Sequence, residues 1–465
     1  MVLRFFNTLT RSVEPFESIE PGRVRLYTCG PTVHDFAHIG NFRAYVFEDL
    51  LRRTLQLAGF EVTQVMNLTD VDDKTIRKSS AAGLSLREYT RQYADAFFED
   101  LAALNIERAE HYPAATDHIP EMIALIERLM ARGFAYRSED GSVYFSIARF
   151  PAYGRLARLD REGLKPGARV AQDEYEKENV GDFALWKAWT PEDGGVFWDS
   201  PWGRGRPGWH IECSAMSMKY LGETFDIHTG GVDNIFPHHE DEIAQSEAAT
   251  GRPFVRYWLH CAHLMVDGHK MSKSLGNFHT LRDVFARGYS GREVRWVLIG
   301  GHYRQPLNFT WASLEGARAG LRRLDEFGER LGEIAAAAKP GPMPDWAMAH
   351  EAAFVSALED DLNLPAALAA VFDLVREGHR AADAGALTAP DAAAVRRLLE
   401  RWDRVLGVLA SAGDGVPAEI AQKARRREEA RRAQRWDEAD RLREEMKASG
   451  WIVQDTPTGS KVRRA

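Results

Sequence analysis

The sequence predicts an α/β domain carrying an insertion, followed by a helical bundle and a small α+β module. Three observations predict it. A strand–turn–helix pattern fills residues 24–59 and leads into a second strand pattern. The texture changes over residues 120–204, to short strands and Arg-rich loops. From Trp311 onward the chain is helical, interrupted by stretches rich in Pro and Gly.

Taken in order, Val24, Leu26 and Thr28 alternate with Arg25 and Tyr27, a period of two that suits a strand. Gly30 and Pro31 end it. After His38-Ile39-Gly40-Asn41 a helical stripe of Phe42, Val46 and Leu50 begins, with Gly59 as its stop. Residues 60–67 suit a second strand, Asp70, Asp72 and Asp73 a helix start, and residues 86–104 an amphipathic helix. In the insertion, residues 122–131 read as a helix and 141–147 as short strands, ahead of the apolar run 183–187. Residues 201–216 return to a helix. Residues 225–230 suit a strand, 237–245 a helix with Pro237 at its first turn, and 257–266 one more apolar strand. Residues 357–376 and 391–409 carry helical stripes, with linkers at 340–344 and 413–417. Residues 418–448 read as one charged helix, and 451–453 with 461–463 as a hairpin. The implied domains are 1–119 with 205–255, the insertion 120–204, a lysine-loop region 256–311, the bundle 312–412 and the last module 413–465.

The 465 residues allow about three domains. Apolar content of 45% and charged content of 28% describe a globular protein. Residues 1–6 lack the core of a signal peptide, and no run of about 18 apolar residues occurs. A cytoplasmic, non-membrane protein is therefore expected. Cys29, Cys213 and Cys261 are too few for a disulfide framework and point to metal or burial. A net charge of −8 makes any RNA surface local. Residues 423–447 are one such place, with ten Lys and Arg against seven Asp and Glu, a net of +3.

Two stretches carry phosphate chemistry. The turn at Gly40 opens a helix whose first N–H groups suit a phosphate, and His38 can add a hydrogen bond. Farther on, Gly268-His269-Lys270-Met271-Ser272-Lys273-Ser274 sets two lysines three apart, with glycines on either side at Gly268 and Gly276. Lysine stabilises charge growing on phosphate oxygens, and the glycines let the loop close and reopen. A third constellation suits a metal. Cys29 and Cys213 could join an imidazole and a carboxylate in a four-donor site. His238 and Glu242 are four apart and share a helix face, while His239 with Asp241 or Glu242 is a rival pair.

His-Ile-Gly-Asn followed by Lys-Met-Ser-Lys-Ser resembles the two signatures of class I aminoacyl-tRNA synthetases, with Asn41 in place of the usual last histidine. More specific are Cys29-Gly30-Pro31-Thr32-Val33, residues 208–213, 230–240 and 303–309, and Trp436-Asp437-Glu438-Ala439-Asp440. Together these resemble the cysteinyl-tRNA synthetases over essentially the whole chain. The resemblance implies a Rossmann-like catalytic domain with a connective insertion, a helical bundle and an anticodon-binding module. It implies ATP-dependent activation of L-cysteine to an adenylate, then transfer to the 3′ end of tRNA. It implies one zinc ion on Cys29, Cys213, His238 and Glu242, which binds the substrate thiolate and so rejects serine. ATP, with magnesium, falls to His38, Gly40, Asn41, Gly231, Asp233, Lys270 and Lys273, of which His38, Asn41, Lys270 and Lys273 are catalytic. Substrate cysteine falls to Cys29, Thr32 and Trp209, and tRNA contacts to Arg431 and Asp440. The family likeness also implies a monomer, and leaves His34, where a tyrosine is commoner, without a role.

Two rivals share parts of this sequence. A ligase joining cysteine to an amino sugar, of the mycothiol type, resembles the catalytic half alone; the helical region and hairpin tail favour tRNA. A non-catalytic tRNA-binding paralogue would not need the intact lysine loop or the four metal donors.

Overall fold

Val24, Leu26, Tyr27 and Thr28 are buried because the strand Arg23–Thr28 lies inside a sheet. The computed structural model describes residues 1–159, 164–170, 180–271, 276–409, 418–449, 451–456 and 459–464. It falls into two units, Met1–Val408 and Leu409–Ala465. Among the described residues no helix is long and apolar enough to cross a membrane.

The first unit is built on four parallel strands in the spatial order Val255–Cys261, Phe225–Gly231, Arg23–Thr28, Glu61–Met66. The helix Ile39–Leu57 connects Arg23–Thr28 to Glu61–Met66, and the helix His238–Thr250 connects Phe225–Gly231 to Val255–Cys261. The chain thus winds outward in opposite directions from its two central strands. Their carboxyl ends flank the point where the winding reverses, which is where open parallel sheets bind ligands. Local signals set the connections. Gly59, at φ +95°, follows the end of the first helix. Asp72 caps the helix Asp73–Ala82 by accepting from the Thr75 amide at 2.6 Å, so the acidic cluster does start a helix.

Between the two halves lie the helix Ile119–Ala131 and a five-stranded sheet of Ala135–Arg137, Val143–Phe145, Leu164–Val170, Val180–Ala188 and Gly205–Pro207. This sheet shares a core with the helix Trp209–Leu221: Phe145, Phe183 and Trp186 pack in one cluster with Ile211, Ala215 and Met216.

Three elements depart from the periodicity. The apolar run 257–266 is two strands, Val255–Cys261 in the main sheet and Leu264–Val266 in a small sheet with His269–Lys270 and Leu307–Phe309. The Ala262 amide turns to the Tyr303 carbonyl, so the chain changes sheets with no change in hydropathy. The stripe 357–376 spans the helices Asp345–Glu359 and Leu364–Asp383. Between them Asp361 and Leu362 take φ of +54° and +55°. Asp361 accepts from the Phe6 amide, the Tyr303 hydroxyl and the Arg304 guanidinium, and these tertiary bonds override helix propensity. The stretch 418–448 is two helices, Ala418–Arg432 and Trp436–Ala448, parted at Gln434 with φ +58°. In that unit Ile420, Ala424, Met446 and Val453 form a small core, and Trp451–Thr456 pairs antiparallel with Gly459–Arg464 as the expected hairpin. The linker at 413–417 lies outside the described residues.

Buried charge ties the helix Ile39–Leu57 to the bundle. Arg295, fully buried, donates to Asp49 Oδ2 at 2.6 Å and to the carbonyls of Leu104, Asn105 and Leu406. Arg53 donates to the same Asp49 oxygen at 2.8 Å. Removing one partner of such a pair leaves a charge in a dry interior. Arg295→Met is therefore expected to cost about 3–5 kcal/mol, read as a lower urea midpoint for the transition of Met1–Val408.

Candidate active site

Cys29 follows the central strand directly, and its amide donates to the Thr229 carbonyl of the neighbouring strand at 3.3 Å. Trp209 and Cys213 lie one turn apart on the helix Trp209–Leu221, as do His238 and Glu242 on His238–Thr250. Packing brings one donor atom each of Cys29, Cys213, His238 and Glu242 within 4.8 Å of one another. Cys29, His228, His239 and Glu242 meet the same limit. The rings make further contacts: His238 Nδ1 lies 2.9 Å from His210 Nδ1. His228 Nε2 lies 3.0 Å from Glu242 Oε2, and His239 Nδ1 lies 2.8 Å from His260 Nε2. The other Glu242 oxygen, Oε1, is buried with no N–H aimed at it, although His238 Nε2 is 3.1 Å away. A bare buried acceptor is costly unless a cation meets it. His228 Nε2 is taken up by Glu242, while His238 and His239 each turn Nε2 toward the cluster, 3.1 Å from Glu242 Oε1 and 3.3 Å from Cys29 Sγ. The set of Cys29, Cys213, His238 and Glu242 can hold a metal ion. Cys261 is buried away from it, with its thiol pushed up to about 12 by burial.

Burial also sets the protonation of the donors. It lowers His238 to about 3 and keeps His239 and His260 neutral as well. Burial, then the neighbouring Cys213 and Glu242, holds the Cys29 thiol well above its usual range, and burial raises Cys213. The rings pack closely. Trp209 stacks on His238 with centroids 4.3 Å apart, His239 Nε2 is 3.3 Å from Cys29 Sγ, and His260 Nδ1 is 2.7 Å from Thr8 Oγ1. No sequence signal points to His228, His260 or Thr8 here, because single polar residues in apolar runs carry no spacing.

The signature turn follows Cys29 in the chain and opens the helix Ile39–Leu57. His38 caps the helix Ile39–Leu57: its Nδ1 accepts from the Asn41 amide at 3.2 Å, and Asn41 Oδ1 accepts from the His38 amide at 3.0 Å. The carboxamide at position 41 thus completes the cap. The Ile39 amide donates to the His279 carbonyl at 2.9 Å, so two of the amides expected to face phosphate already have partners. A Cβ on Gly40 would stand 2.3 Å from Met271 Cε and 3.0 Å from the His38 ring, so a larger residue there would displace the Met271 side chain. Lys270 is exposed, and its carbonyl accepts from Asn277 Nδ2 at 3.2 Å, across the base of the lysine loop. Lys273 lies outside the described residues. On the neighbouring strand the Gly231 amide donates to Asn234 Oδ1 at 2.9 Å, with Asp233 in the same turn. Thr32 bridges to Thr69, whose hydroxyl donates to the buried Glu212 at 2.9 Å. His34 Nδ1 lies 3.1 Å from the Thr32 carbonyl. In the second unit Arg431 is half-buried on the helix Ala418–Arg432 and Asp440 is exposed on Trp436–Ala448.

Residues 15–319 match the family model of the tRNA synthetases class I (C) catalytic domain, 353–410 the DALR domain, and 414–463 the cysteinyl-tRNA ligase anticodon binding domain. The methionyl-tRNA synthetase of Mycobacterium tuberculosis, solved with methionyl-adenylate, superposes with a TM-score of 0.59 at 16% identity, over 83% of this chain and 90% of that one. The LeuRS of Agrobacterium radiobacter K84 does so with 0.61 at 12%, over 84% and 85%. At these identities the likeness is one of fold. The parallel sheet, its switch-point site and the matched catalytic domain define a class I aminoacyl-tRNA synthetase. Cysteine–tRNA ligases of Protochlamydia amoebophila and Chlamydia pneumoniae are 50% and 51% identical over 99% of this chain and 98% of theirs. That of Chlamydia muridarum is 50% identical over the whole of both. The chain belongs to the cysteine–tRNA ligase family of ATP-dependent aminoacyl-tRNA ligases.

A divalent ion entering the four-donor cluster meets a neutral imidazole and two protonated thiols. It is expected to displace two protons, so apparent affinity should rise by about a hundredfold per pH unit near neutrality. Calorimetry in buffers of different ionisation enthalpy counts the protons.

Proposed function

We propose that the protein charges its tRNA with cysteine in two steps and selects cysteine by its thiol, at a zinc ion held by Cys29, Cys213, His238 and Glu242. The observation that carries this reading is the convergence of two thiols, an imidazole and a bare carboxylate oxygen. Two sulfur donors with one nitrogen and one oxygen suit zinc. Zinc bound there would hold the substrate sulfur as a thiolate, a bond that the alcohol of serine does not match. A site built on one specific polar contact discriminates far better than an apolar pocket. Trp209, stacked on His238, walls the cysteine pocket, and Thr32 borders it on the turn after Cys29.

In the first step the cysteine carboxylate attacks the α-phosphate of ATP, and pyrophosphate leaves. Alignment and charge stabilisation do most of the work in such transfers. His38, Gly40 and Asn41 hold ATP at the start of the signature helix. Gly231 and Asp233 hold its ribose from the adjacent strand. Lys270 and Lys273, with magnesium brought by ATP, stabilise the charge that grows on the triphosphate. In the second step the 3′-terminal ribose hydroxyl of tRNA attacks the adenylate carbonyl and AMP leaves. Arg431 and Asp440 meet the anticodon. The protein acts as a cytoplasmic monomer.

The test is attachment of labelled cysteine to a cysteine-tRNA transcript with zinc, magnesium and ATP, with serine as the control. Cysteine should be attached and serine should not. Cys213→Ser should lose zinc and lower cysteine activation by about a hundredfold or more. Pyrophosphate exchange without attachment would remove tRNA from the reading, and equal use of serine would remove selection by the thiol.

A further inference from the structure

We infer that Asn67 is a positioning residue for substrate cysteine: its side chain ties the turn at residues 30–33 to the helix that carries Trp209. The inference rests on the proposed cysteine pocket, whose two walls are Thr32 on that turn and Trp209 on the helix Trp209–Leu221. The backbone of the turn is held by the segment that follows the strand Glu61–Met66. The Thr69 amide donates to the Pro31 carbonyl at 3.1 Å, and the Val33 amide donates to the Thr69 carbonyl at 3.0 Å. The Gly30 amide goes instead to a side chain, donating to Asn67 Oδ1 at 2.8 Å. The approach is close: a Cβ on Gly30 would stand 1.8 Å from the Asn67 carbonyl oxygen.

That amide sets the direction of a buried relay. Asn67 and Thr69 are 2% and 1% exposed, and Glu212 is fully buried. A backbone N–H can only donate, so the Asn67 oxygen faces Gly30 and its NH2 group is left to donate elsewhere. Asn67 Nδ2 donates to Thr69 Oγ1 at 3.1 Å, and Thr69 Oγ1 donates to Glu212 Oε2 at 2.9 Å. Every bond runs the same way, from the turn to the helix Trp209–Leu221, and bonds in such a series polarise one another. Glu212 lies three residues after Trp209 and directly before Cys213. Residues three apart are neighbours on a helix surface. The relay therefore joins the two walls of the pocket.

The side-chain relay is separable from the backbone bonds beside it. Thr69 keeps its amide and carbonyl whatever its side chain, so Thr69→Val breaks the relay and leaves Pro31 and Val33 held. Thr69→Ser keeps the hydroxyl. Asn67→Ala goes further and strips the Gly30 N–H of its acceptor. Walls that are no longer tied hold cysteine more weakly in the ground state and the transition state alike, which raises KM and spares kcat. A loss of folded enzyme would do the reverse: it lowers kcat and leaves both KM values unchanged.

The test is cysteine-dependent pyrophosphate exchange by the zinc-loaded protein. Thr69→Val should raise KM for cysteine about tenfold and hold kcat and KM for ATP within about twofold of wild type. Thr69→Ser should restore the wild-type KM, and Asn67→Ala should raise it at least as far as Thr69→Val. In protein labelled with 15N-glycine, the Gly30 amide signal should move in Thr69→Val, although Asn67 stands between the two residues. Wild-type KM for cysteine in Thr69→Val would overturn the inference. So would a lower kcat with both KM values unchanged, or a Thr69→Ser that behaves as Thr69→Val does. Wild type that exchanges no pyrophosphate with cysteine, yet shows the Gly30 signal moving in Thr69→Val, would refute the cysteine pocket and leave the relay standing.

Discussion

The site depends on the parallel pairing of two strands that are distant in the chain. Ile227, His228 and Thr229 pair with Leu26, Tyr27 and Thr28, and the Arg25 amide donates to Asp226 across a separation of 201 residues. Only this register sets Cys29 over the helices that carry Cys213, His238 and Glu242. A slip of one residue would turn every side chain to the opposite face. The pairing is held by what it buries: Tyr27, Phe225, Ile243 and Trp258 share one cluster with Cys213. Contacts between such distant segments come at a loop-closure cost, which this apolar cluster offsets.

The loop being closed is itself folded. The insertion sheet packs on the helix Trp209–Leu221 through Ile211 and Met216, and on His238–Thr250 through Ala244 and Ala248. These two helices supply three of the four converging donors. The insertion is therefore part of the wall that fixes them. Arg206 reinforces this by reaching from the end of the insertion sheet to Asp73 and Asp193. A site assembled from three separate segments needs such a brace, because donors misplaced by a fraction of an ångström cannot meet one ion.

The fold was legible in the sequence wherever one period governs one element. Val24 to Thr28, and the stripe of Phe42, Val46 and Leu50, are read straight off. Legibility failed where tertiary bonds decide. Nothing in the hydropathy of residues 257–266 says that Ala262 turns to Tyr303, and nothing near Asp361 says that its carboxylate will hold Phe6, Tyr303 and Arg304. At the site, rare residues and motif order drew attention to Cys29, Cys213, the signature turn and the lysine loop. The choice between His238 and His239 was not legible from spacing, since both fall on one helix turn with carboxylates near. Both rings meet a further imidazole at Nδ1, His238 at His210 and His239 at His260, and those residues stand alone in the sequence. Asn41 was legible as a departure, but its bond to the His38 amide was not.

With a metal bound as proposed, the ring of imidazoles about the cluster would have an electrostatic reason. Two thiolates and a carboxylate outweigh a divalent cation by one charge, and a bound substrate thiolate would add another. In a dry interior that surplus is expensive unless donors surround it. The structure places them there. His239 Nε2 stands 3.3 Å from Cys29 Sγ, and His228 Nε2 stands 3.0 Å from Glu242 Oε2. Because burial keeps His239 neutral, it can donate without adding a positive charge that would repel the ion. Neutral rings also accept at their second nitrogen, so each leans on a further residue, His239 on His260 and His260 on Thr8. On the proposed metal reading, the need to carry excess negative charge on sulfur without water would account for buried histidines that are otherwise a cost to the core.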